Sequence, residues 1–243
     1  MINEILLAFI QAITEFLPIS SSGHLAFLSN IISEPNLFFF TVLHLASLIA
    51  VLIFTRKEIK NLLSFDKKYR RQGIYLIIAT IPAVIFGLFF ENLIEKSFSS
   101  FLFLGIAFLF TGFILFLTKF SSVSSKLNYK NSLFIGLMQA LALFPGVSRS
   151  GMTISAGLFS GIEKEKAAKF SFLLFIPLAL GAFILELNEF YFNWSLLISF
   201  IICLVFSLIF LNLLLLIIKK NMFWLFSIYC FILSAISFKI YFS

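Results

Sequence analysis

The sequence predicts an all-α, polytopic membrane protein with about six transmembrane helices and two re-entrant helical hairpins, arranged as an inverted-topology repeat. Three observations support this. The chain is 61% hydrophobic and only 12% charged, unlike a soluble domain of this length. Several apolar runs approach the roughly 20 residues that a helix needs to cross a bilayer. Two polar motifs, "FLPISSSGHL" at 16–25 (the first break motif) and "FPGVSRSG" at 144–151 (the second break motif), interrupt the apolar pattern.

The apolar segments have the length of helical spans. The run "LLISFIICLVFSLIFLNLLLLII" shows none of the alternation that a transmembrane β-strand requires. Two further segments, 5–30 and 131–160, are apolar at both ends and broken in the middle, as expected for hairpins. Together they predict a single integral membrane domain of 1–243, with one repeat at about 1–118 and the other at about 131–243. The six predicted full spans are 37–54, 75–90, 101–118, 170–187, 195–218 and 222–240.

The basic residues predict the orientation. The net charge of +7 indicates topology here, and no nucleic-acid partner is expected, because Lys and Arg mark the cytoplasmic loops of membrane proteins. The basic segment 56–71 is therefore predicted to be a cytoplasmic loop. If each broken segment enters and leaves the membrane on the same side, most of the 18 Lys and Arg residues fall in the cytoplasm. The first hairpin then enters the membrane from the outside, and both termini lie outside.

The two break motifs belong to an internal repeat. The stretch "QAITEFLPISSSG" (11–23) aligns without gaps on "QALALFPGVSRSG" (139–151), with Gln, Ala, Phe, two Ser and Gly identical. Three predicted spans separate the copies, so the copies have opposite orientations in the membrane. In such inverted repeats, broken helices meet near the bilayer midplane. Irregular backbone at that depth must be buried in protein or line a wet cavity, so the motifs are expected to face each other.

Serine residues are expected to cap the second half-helix of each hairpin. The candidates are Ser20, Ser21 and Ser22 before 23–30, and Ser148 and Ser150 before 151–160. The free N–H groups at such helix starts attract anions. Arg149 adds a planar cation suited to phosphate oxygens, although it could equally be a structural partner of Glu15.

Three more polar side chains complete the predicted site. Glu15 lies four residues after Gln11, so the two share one helix face. Glu15 is a candidate ligand for a divalent cation bound with substrate phosphate, or a general acid or base. With the serines and His24 it also offers the parts of an activated hydroxyl nucleophile. His44, in the next span, fits a packing role and a supporting role in the site about equally well.

These residues favour an anion site, most simply for phosphate, where the two hairpins meet. They are compatible with two classes of protein. One is a membrane phosphatase, and the other is a secondary transporter or flippase of an anionic solute or lipid phosphate, because inverted repeats with midplane sites are common in transporters.

At these motifs the chain resembles a known family. The stretches "QAITEFLPISSSGHL" and "PGVSRSGMT" are similar to the two signature motifs of the undecaprenyl-diphosphatase family, the bacitracin-resistance proteins of bacteria. The stretches "TVLHLASLIAVLIF" and "KAAKFSFLLFIPLALGA" are similar as well. The resemblance implies hydrolysis of undecaprenyl diphosphate to undecaprenyl phosphate and inorganic phosphate. This reaction recycles the carrier lipid for cell-wall synthesis and confers bacitracin resistance.

The resemblance also implies roles for individual residues. Ser21 is the first choice of nucleophile, with His24 or Glu15 taking its proton, and a phosphorylated His24 is the rival. Glu15 would hold Mg²⁺ or Ca²⁺, and Gln11 is a further candidate ligand, although many members have Glu at that position. The site would open to the periplasmic side of the bacterial plasma membrane, and a homodimer is one candidate assembly. Arg149 is implied as catalytic, and the implied substrate-binding residues are Ser20, Ser22, Gly23, Gly146, Ser148, Ser150 and Gly151.

Overall fold

The fold is a bundle of helices, described here by a computed structural model for residues 2–29, 37–64, 66–185 and 193–243. No strand occurs within these ranges, so the all-α prediction is confirmed. The helices are α1 (Ile2–Phe16), α2 (Ser21–Ser29), α3 (Leu37–Phe54), α4 (Arg56–Leu62), α5 (Lys67–Ser97), α6 (Phe101–Leu117), α7 (Tyr129–Leu141), α8 (Arg149–Phe159), α9 (Lys164–Leu185), α10 (Trp194–Lys219) and α11 (Phe226–Phe242).

The helices confirm a multi-pass membrane protein. Five of them within the described ranges are long and apolar enough to cross a bilayer, and α3 with α4 makes a sixth if that pair, bent by 73°, counts as one span. The span predicted at 75–90 is longer than expected, because α5 extends over 67–97. The ends of the predicted segments at residues 30 and 186–187 lie outside the described residues.

The predicted basic loop 56–71 is mostly helical, which corrects that prediction. Helix α4 occupies its first part, and the first turns of α5 occupy its last part. Asp66 caps α5 by accepting a hydrogen bond from the backbone N–H of Lys68 at 2.9 Å. A capped start allowed α5 to begin before the apolar run, so hydropathy alone placed the helix boundary too late.

Ion pairs bring the basic segments to one end of the bundle. Lys169 of α9 contacts Glu58 of α4 at 2.9 Å and Glu165 at 3.0 Å. Lys219, at the end of α10, contacts the other oxygen of Glu165 at 2.9 Å. The start of α9 and the end of α10 therefore lie on the same face of the protein as the segment 56–71, which the charge pattern assigns to the cytoplasm.

The two halves of the chain pack reciprocally. Helix α1 packs against α10, and its counterpart α7 packs against α5. The corresponding helices α3 and α9 contact each other, as do α6 and α11. At Gly136 of α7 a side chain would collide with the backbone of Ala79, whose carbonyl oxygen would be 2.6 Å away. This packing holds the short hairpin helices between the long ones, while the re-entrant and inverted arrangement in the membrane stays a prediction.

Candidate active site

Each break motif ends in a serine-capped helix. Ser20 lies just before α2, with a left-handed φ of 66°, and its Oγ accepts a hydrogen bond from the N–H of Gly23 at 3.2 Å. Ser148 lies just before α8, and its Oγ accepts from the N–H of Gly151 at 3.1 Å. Both helices start two residues earlier than predicted, so only Ser20 and Ser148 are caps.

The other three predicted capping serines belong to the first turns of these helices. Ser21 and Ser22 are the first residues of α2, and Ser150 is the second residue of α8. The hydroxyls of Ser20 and Ser22 are 3.3 Å apart, and those of Ser148 and Ser150 are also 3.3 Å apart. The repeat seen in the sequence is therefore also a repeat of local hydrogen bonds.

The two motifs are in direct contact. The N–H of Gly146 donates to Ser20 Oγ at 3.1 Å, and Ser150 Oγ donates to the carbonyl oxygen of Leu17 at 3.4 Å. A side chain on Gly23 would lie 2.8 Å from the backbone of Gly146. The predicted substrate-binding residues of one motif thus hold the other motif in place.

Thr111 of α6 supports the second motif from behind. Its hydroxyl donates to the carbonyl oxygen of Gly146 at 2.9 Å and accepts from the N–H of Ser148 at 3.3 Å. Gly146 has a φ of +88°, which favours glycine. Thr111 could not be predicted from the sequence, because a single threonine in an apolar span has no distinguishing pattern.

Glu15 is the point where the motifs' functional groups meet. Its Oε2 accepts hydrogen bonds from Ser21 Oγ at 2.8 Å and from Gln11 Nε2 at 2.9 Å. Its Oε1 accepts from Arg149 Nη2 at 3.0 Å. The Glu15 side chain is only 6% exposed, so these donors replace water around a buried carboxylate. The structure therefore brings together three of the four predicted catalytic residues.

Arg149 is anchored from several directions. Besides Glu15, it donates through Nη1 to the carbonyl oxygen of Ser171 at 3.4 Å. Its guanidinium carbon lies 4.4 Å from the ring centre of Phe175, as a cation–π contact. Both partners are on α9. Phe175 could not be singled out from the sequence among 36 phenylalanines.

His44 of α3 also faces Glu15. Its Nδ1 is 2.9 Å from the carbonyl oxygen of Phe40, and its Nε2 is 3.5 Å from Glu15 Oε2. The His44 side chain is 36% exposed, so it lies at the open edge of the site. Of the two roles considered from the sequence, the structure places His44 at the site and not simply among packed side chains.

His24 lies on a different side of the motif. Its Nδ1 is 2.7 Å from the carbonyl oxygen of Ser20, and its Nε2 is 2.7 Å from the hydroxyl of Tyr229 on α11. It also lines an apolar cavity of about 750 Å³ next to α10 and α11. With both ring nitrogens engaged in this way, His24 does not face Ser21 or Glu15 in this structure.

The side chains around Glu15 include candidate ligands for a divalent cation. Within the described part of the chain, no three His, Cys, Asp or Glu side chains form a metal-binding cluster. However, Gln11 is fully buried, and its Oε1 has no hydrogen-bond partner among the described residues. Mg²⁺ is commonly held by one or two carboxylates together with substrate phosphates and water. Glu15 and Gln11 therefore fit a cation that completes its coordination with a phosphate-bearing substrate.

Comparison with known proteins shows the family of the chain. Residues 4–236 match the profile of the family of bacitracin resistance protein BacA. The chain belongs to this family. Proteins named undecaprenyl-diphosphatase are similar to this BacA-family chain over nearly its whole length. The protein of Thermosipho africanus is 42% identical over 97% of this chain and 98% of its own length. The protein of Thermosipho melanesiensis is 43% identical, over 97% of each chain.

A third relative has the same name. The undecaprenyl-diphosphatase of Methanobrevibacter smithii is 40% identical over 98% of this chain and 96% of its own length. The family resemblance first indicated by the two break motifs is therefore confirmed.

Proposed function

We propose that this protein hydrolyses undecaprenyl diphosphate to undecaprenyl phosphate and inorganic phosphate. The reaction recycles the carrier lipid for cell-wall synthesis and gives resistance to bacitracin. The relatives named undecaprenyl-diphosphatase support this function. The observation that carries it is the meeting of Ser21, from the first break motif, and Arg149, from the second, on the carboxylate of Glu15.

Ser21 is the proposed nucleophile and Glu15 its base. The Ser21 hydroxyl already donates to Glu15 Oε2, so the carboxylate can take the proton as Oγ attacks the terminal phosphorus. The new bond is Oγ–P, and the bond to the bridging oxygen breaks, with its electron pair leaving on undecaprenyl phosphate. Water then attacks the phosphoserine, which releases phosphate and returns the hydroxyl to Ser21.

Arg149 and the helix starts would stabilise the transferred group. The guanidinium is fixed by Ser171 and Phe175, so it is oriented before substrate arrives. Preorganised donors of this kind stabilise the charge that develops on phosphoryl oxygens. The helices α2 and α8 start on either side of Glu15 and add their dipoles. Ser22, Gly23, Ser150 and Gly151, in the first turns of these helices, are the proposed contacts for the remaining oxygens.

A divalent cation, Mg²⁺ or Ca²⁺, is proposed at Glu15 with Gln11 as a further ligand. When bound, it would neutralise charge on the diphosphate and its leaving group. Glu15 and Gln11, which are hydrogen-bonded to each other on α1, are the residues that would hold it.

The proposed location is the bacterial plasma membrane, with the site opening to the periplasmic side. The shared end of the basic segments supports placing that end in the cytoplasm. Labelling of single cysteines introduced in 56–71 by a membrane-impermeant reagent tests this, and labelling from outside intact cells would reverse the orientation. Crosslinking in the membrane tests the proposed homodimer.

The deciding experiment measures phosphate release. Purified protein is given a C55 or C15 polyprenyl diphosphate, with and without EDTA, next to an Arg149→Ala variant. We expect release by the wild type that EDTA and the substitution both abolish. Undiminished release from Arg149→Ala would exclude this site as the source of the phosphate, and no release from the wild type would contradict a phosphatase. In that case the better hypothesis is transport of a lipid phosphate. The reciprocal packing of the two halves of the chain suggests this alternative.

A further inference from the structure

His44 has the arrangement of a metal-ligating histidine. Its Nδ1 lies 2.9 Å from the carbonyl oxygen of Phe40, which can only accept, so Nδ1 carries the proton and Nε2 carries the lone pair of the neutral ring. Histidine ligands of metals usually donate their second nitrogen to a carbonyl or carboxylate in this way, which fixes the ring. Nε2 is therefore the ring nitrogen that can bind a metal, and it is the one that lies near Glu15.

The distance between the two side chains fits a shared ion. Nε2 is 3.5 Å from Glu15 Oε2, which is too long for a good hydrogen bond. Two ligands that are each about 2.1 Å from one cation are about 3.0 Å apart at a right angle and about 3.4 Å apart at the tetrahedral angle. The observed separation is therefore close to that of neighbouring ligands of one metal.

Gln11 offers a third ligand beside the same carboxylate oxygen. Its Nε2 is 2.9 Å from Glu15 Oε2, while its Oε1 has no partner among the described residues. A half-turn of the amide exchanges these two atoms and places the amide oxygen next to Glu15 Oε2, the oxygen that His44 Nε2 also approaches. Arg149 remains on the other carboxylate oxygen and orients it.

We propose that His44 is a ligand of the divalent cation, together with Glu15 and the amide oxygen of Gln11. Substrate phosphate oxygens and water complete the coordination. This inference rests on the cation of the proposed function and adds a nitrogen ligand to it. Imidazole suits transition metals better than Ca²⁺, which prefers oxygen ligands. The site should therefore bind Mn²⁺ more tightly than Ca²⁺.

The chain offers a direct test, because it contains only two histidines. Mn²⁺ is added to the tag-free full-length protein in detergent, alone and with a methylene-bridged farnesyl diphosphonate. Electron spin-echo modulation then detects an imidazole nitrogen bound to the ion. We expect ¹⁴N modulation that changes to the ¹⁵N pattern when the protein is made with ¹⁵N-histidine. Absence of an imidazole signal in both samples overturns the proposal, and no variant is needed for this result.

Two matched variants assign the signal. His44→Gln should lose the imidazole modulation and bind Mn²⁺ at least about tenfold more weakly, given that even outer partners of metal ligands change affinity by about 10–100-fold. It should also reduce the preference for Mn²⁺ over Ca²⁺. His24→Gln should keep the modulation. A signal that survives in His44→Gln and disappears in His24→Gln would overturn the assignment.

This test is separable from the proposed function. Mn²⁺ coordination by His44 can be observed in a protein that releases no phosphate, which would contradict the phosphatase and leave the ligand assignment intact. Conversely, EDTA-sensitive phosphate release without any imidazole signal would support the phosphatase and exclude His44 as a ligand.

Discussion

The first and second break motifs share a backbone design and differ in their functional groups. In both, a serine caps the following helix through the N–H of a glycine three residues later. The position after the cap is Ser21 in one motif and Arg149 in the other, and both side chains bond the same carboxylate. Glu15 itself corresponds to Leu143 in the second copy. The first copy thus supplies the carboxylate and the hydroxyl, and the second copy supplies the guanidinium of Arg149.

The corresponding glutamines show the same division of roles. Gln11 donates to Glu15, whereas Gln139 donates to the carbonyl oxygen of Ala79 on α5 at 3.1 Å. Because Leu143 and not an acid follows on the next turn, Gln139 has no carboxylate partner there. It connects α7 to α5 and does not contribute to the site. Two similar local backbone arrangements thus form one asymmetric site, because each carries a different part of the chemistry.

The largest effect is expected for the residue after the first cap. Ser21→Ala removes the hydroxyl that Glu15 contacts, so phosphate release from farnesyl diphosphate should fall at least about 1000-fold, as for other serine nucleophiles. Ser22→Ala is the matched control, because Ser22 contacts Ser20 and not Glu15, and it should lose much less. Near wild-type turnover in Ser21→Ala would exclude Ser21 as the nucleophile and favour His24.

The residue after the second cap should have the next largest effect. Arg149→Ala removes the guanidinium that is proposed to stabilise the transferred phosphate, and the expected loss in kcat is about 100- to 1000-fold. Arg149→Lys keeps the charge but not the planar fork that reaches Glu15 and Ser171 together. It should recover only part of the rate. Equal rates for Lys and Arg at this position would mean that charge alone matters.

The sequence was informative where composition or repetition left a pattern. Apolar length predicted the spans, and the alignment of 11–23 on 139–151 predicted which polar residues belong together. Glu15, Ser21 and Arg149 were all found in this way. Pro and Gly mark the breaks, but the cap positions depend on backbone angles such as the positive φ of Ser20, which favours Gly over Ser. The helix starts were therefore expected two residues too late.

Contacts between helices that are far apart in the chain produce no recognisable pattern in the sequence. Thr111, Phe175 and Tyr229 reach the break motifs from α6, α9 and α11, and each belongs to an apolar run in which its neighbours look alike. His24 was grouped with Glu15 because they are close in sequence, but the turn of α2 directs its ring toward Tyr229. The direction in which a side chain points from a short helix depends on the residue at which the helix begins. The spacing of residues in the sequence did not establish where α2 begins.

The glycines of the two motifs should differ in how much they tolerate a side chain. A Cβ on Gly23 would lie 2.8 Å from the backbone of Gly146, whereas on Gly151 the nearest atom is the Ser148 Cβ at 3.0 Å. Gly23→Ala should therefore lose about 1–3 kcal/mol of stability, measured by thermal unfolding in detergent, and Gly151→Ala less. Gly73→Ala, with no other atom within 4 Å in the described structure, is the control. An equal loss at Gly23 and Gly73 would show that the motifs do not pack as closely as described.

The smallest expected difference separates the two caps themselves. Ser148→Ala should cost about 1 kcal/mol, the usual loss for a serine cap. Ser20→Ala should cost more, because Ser20 Oγ also accepts from the N–H of Gly146, and a buried N–H left without a partner adds about 1–3 kcal/mol. Ser20→Gly removes the same hydrogen bonds but tolerates the positive φ, so it separates backbone strain from the lost contact between motifs. If unfolding shows equal losses for Ser20→Ala and Ser148→Ala, the hydrogen bond from Gly146 to Ser20 contributes nothing. The motifs must then be aligned around Glu15 by the close glycine packing and by the contacts of Ser150 and Arg149.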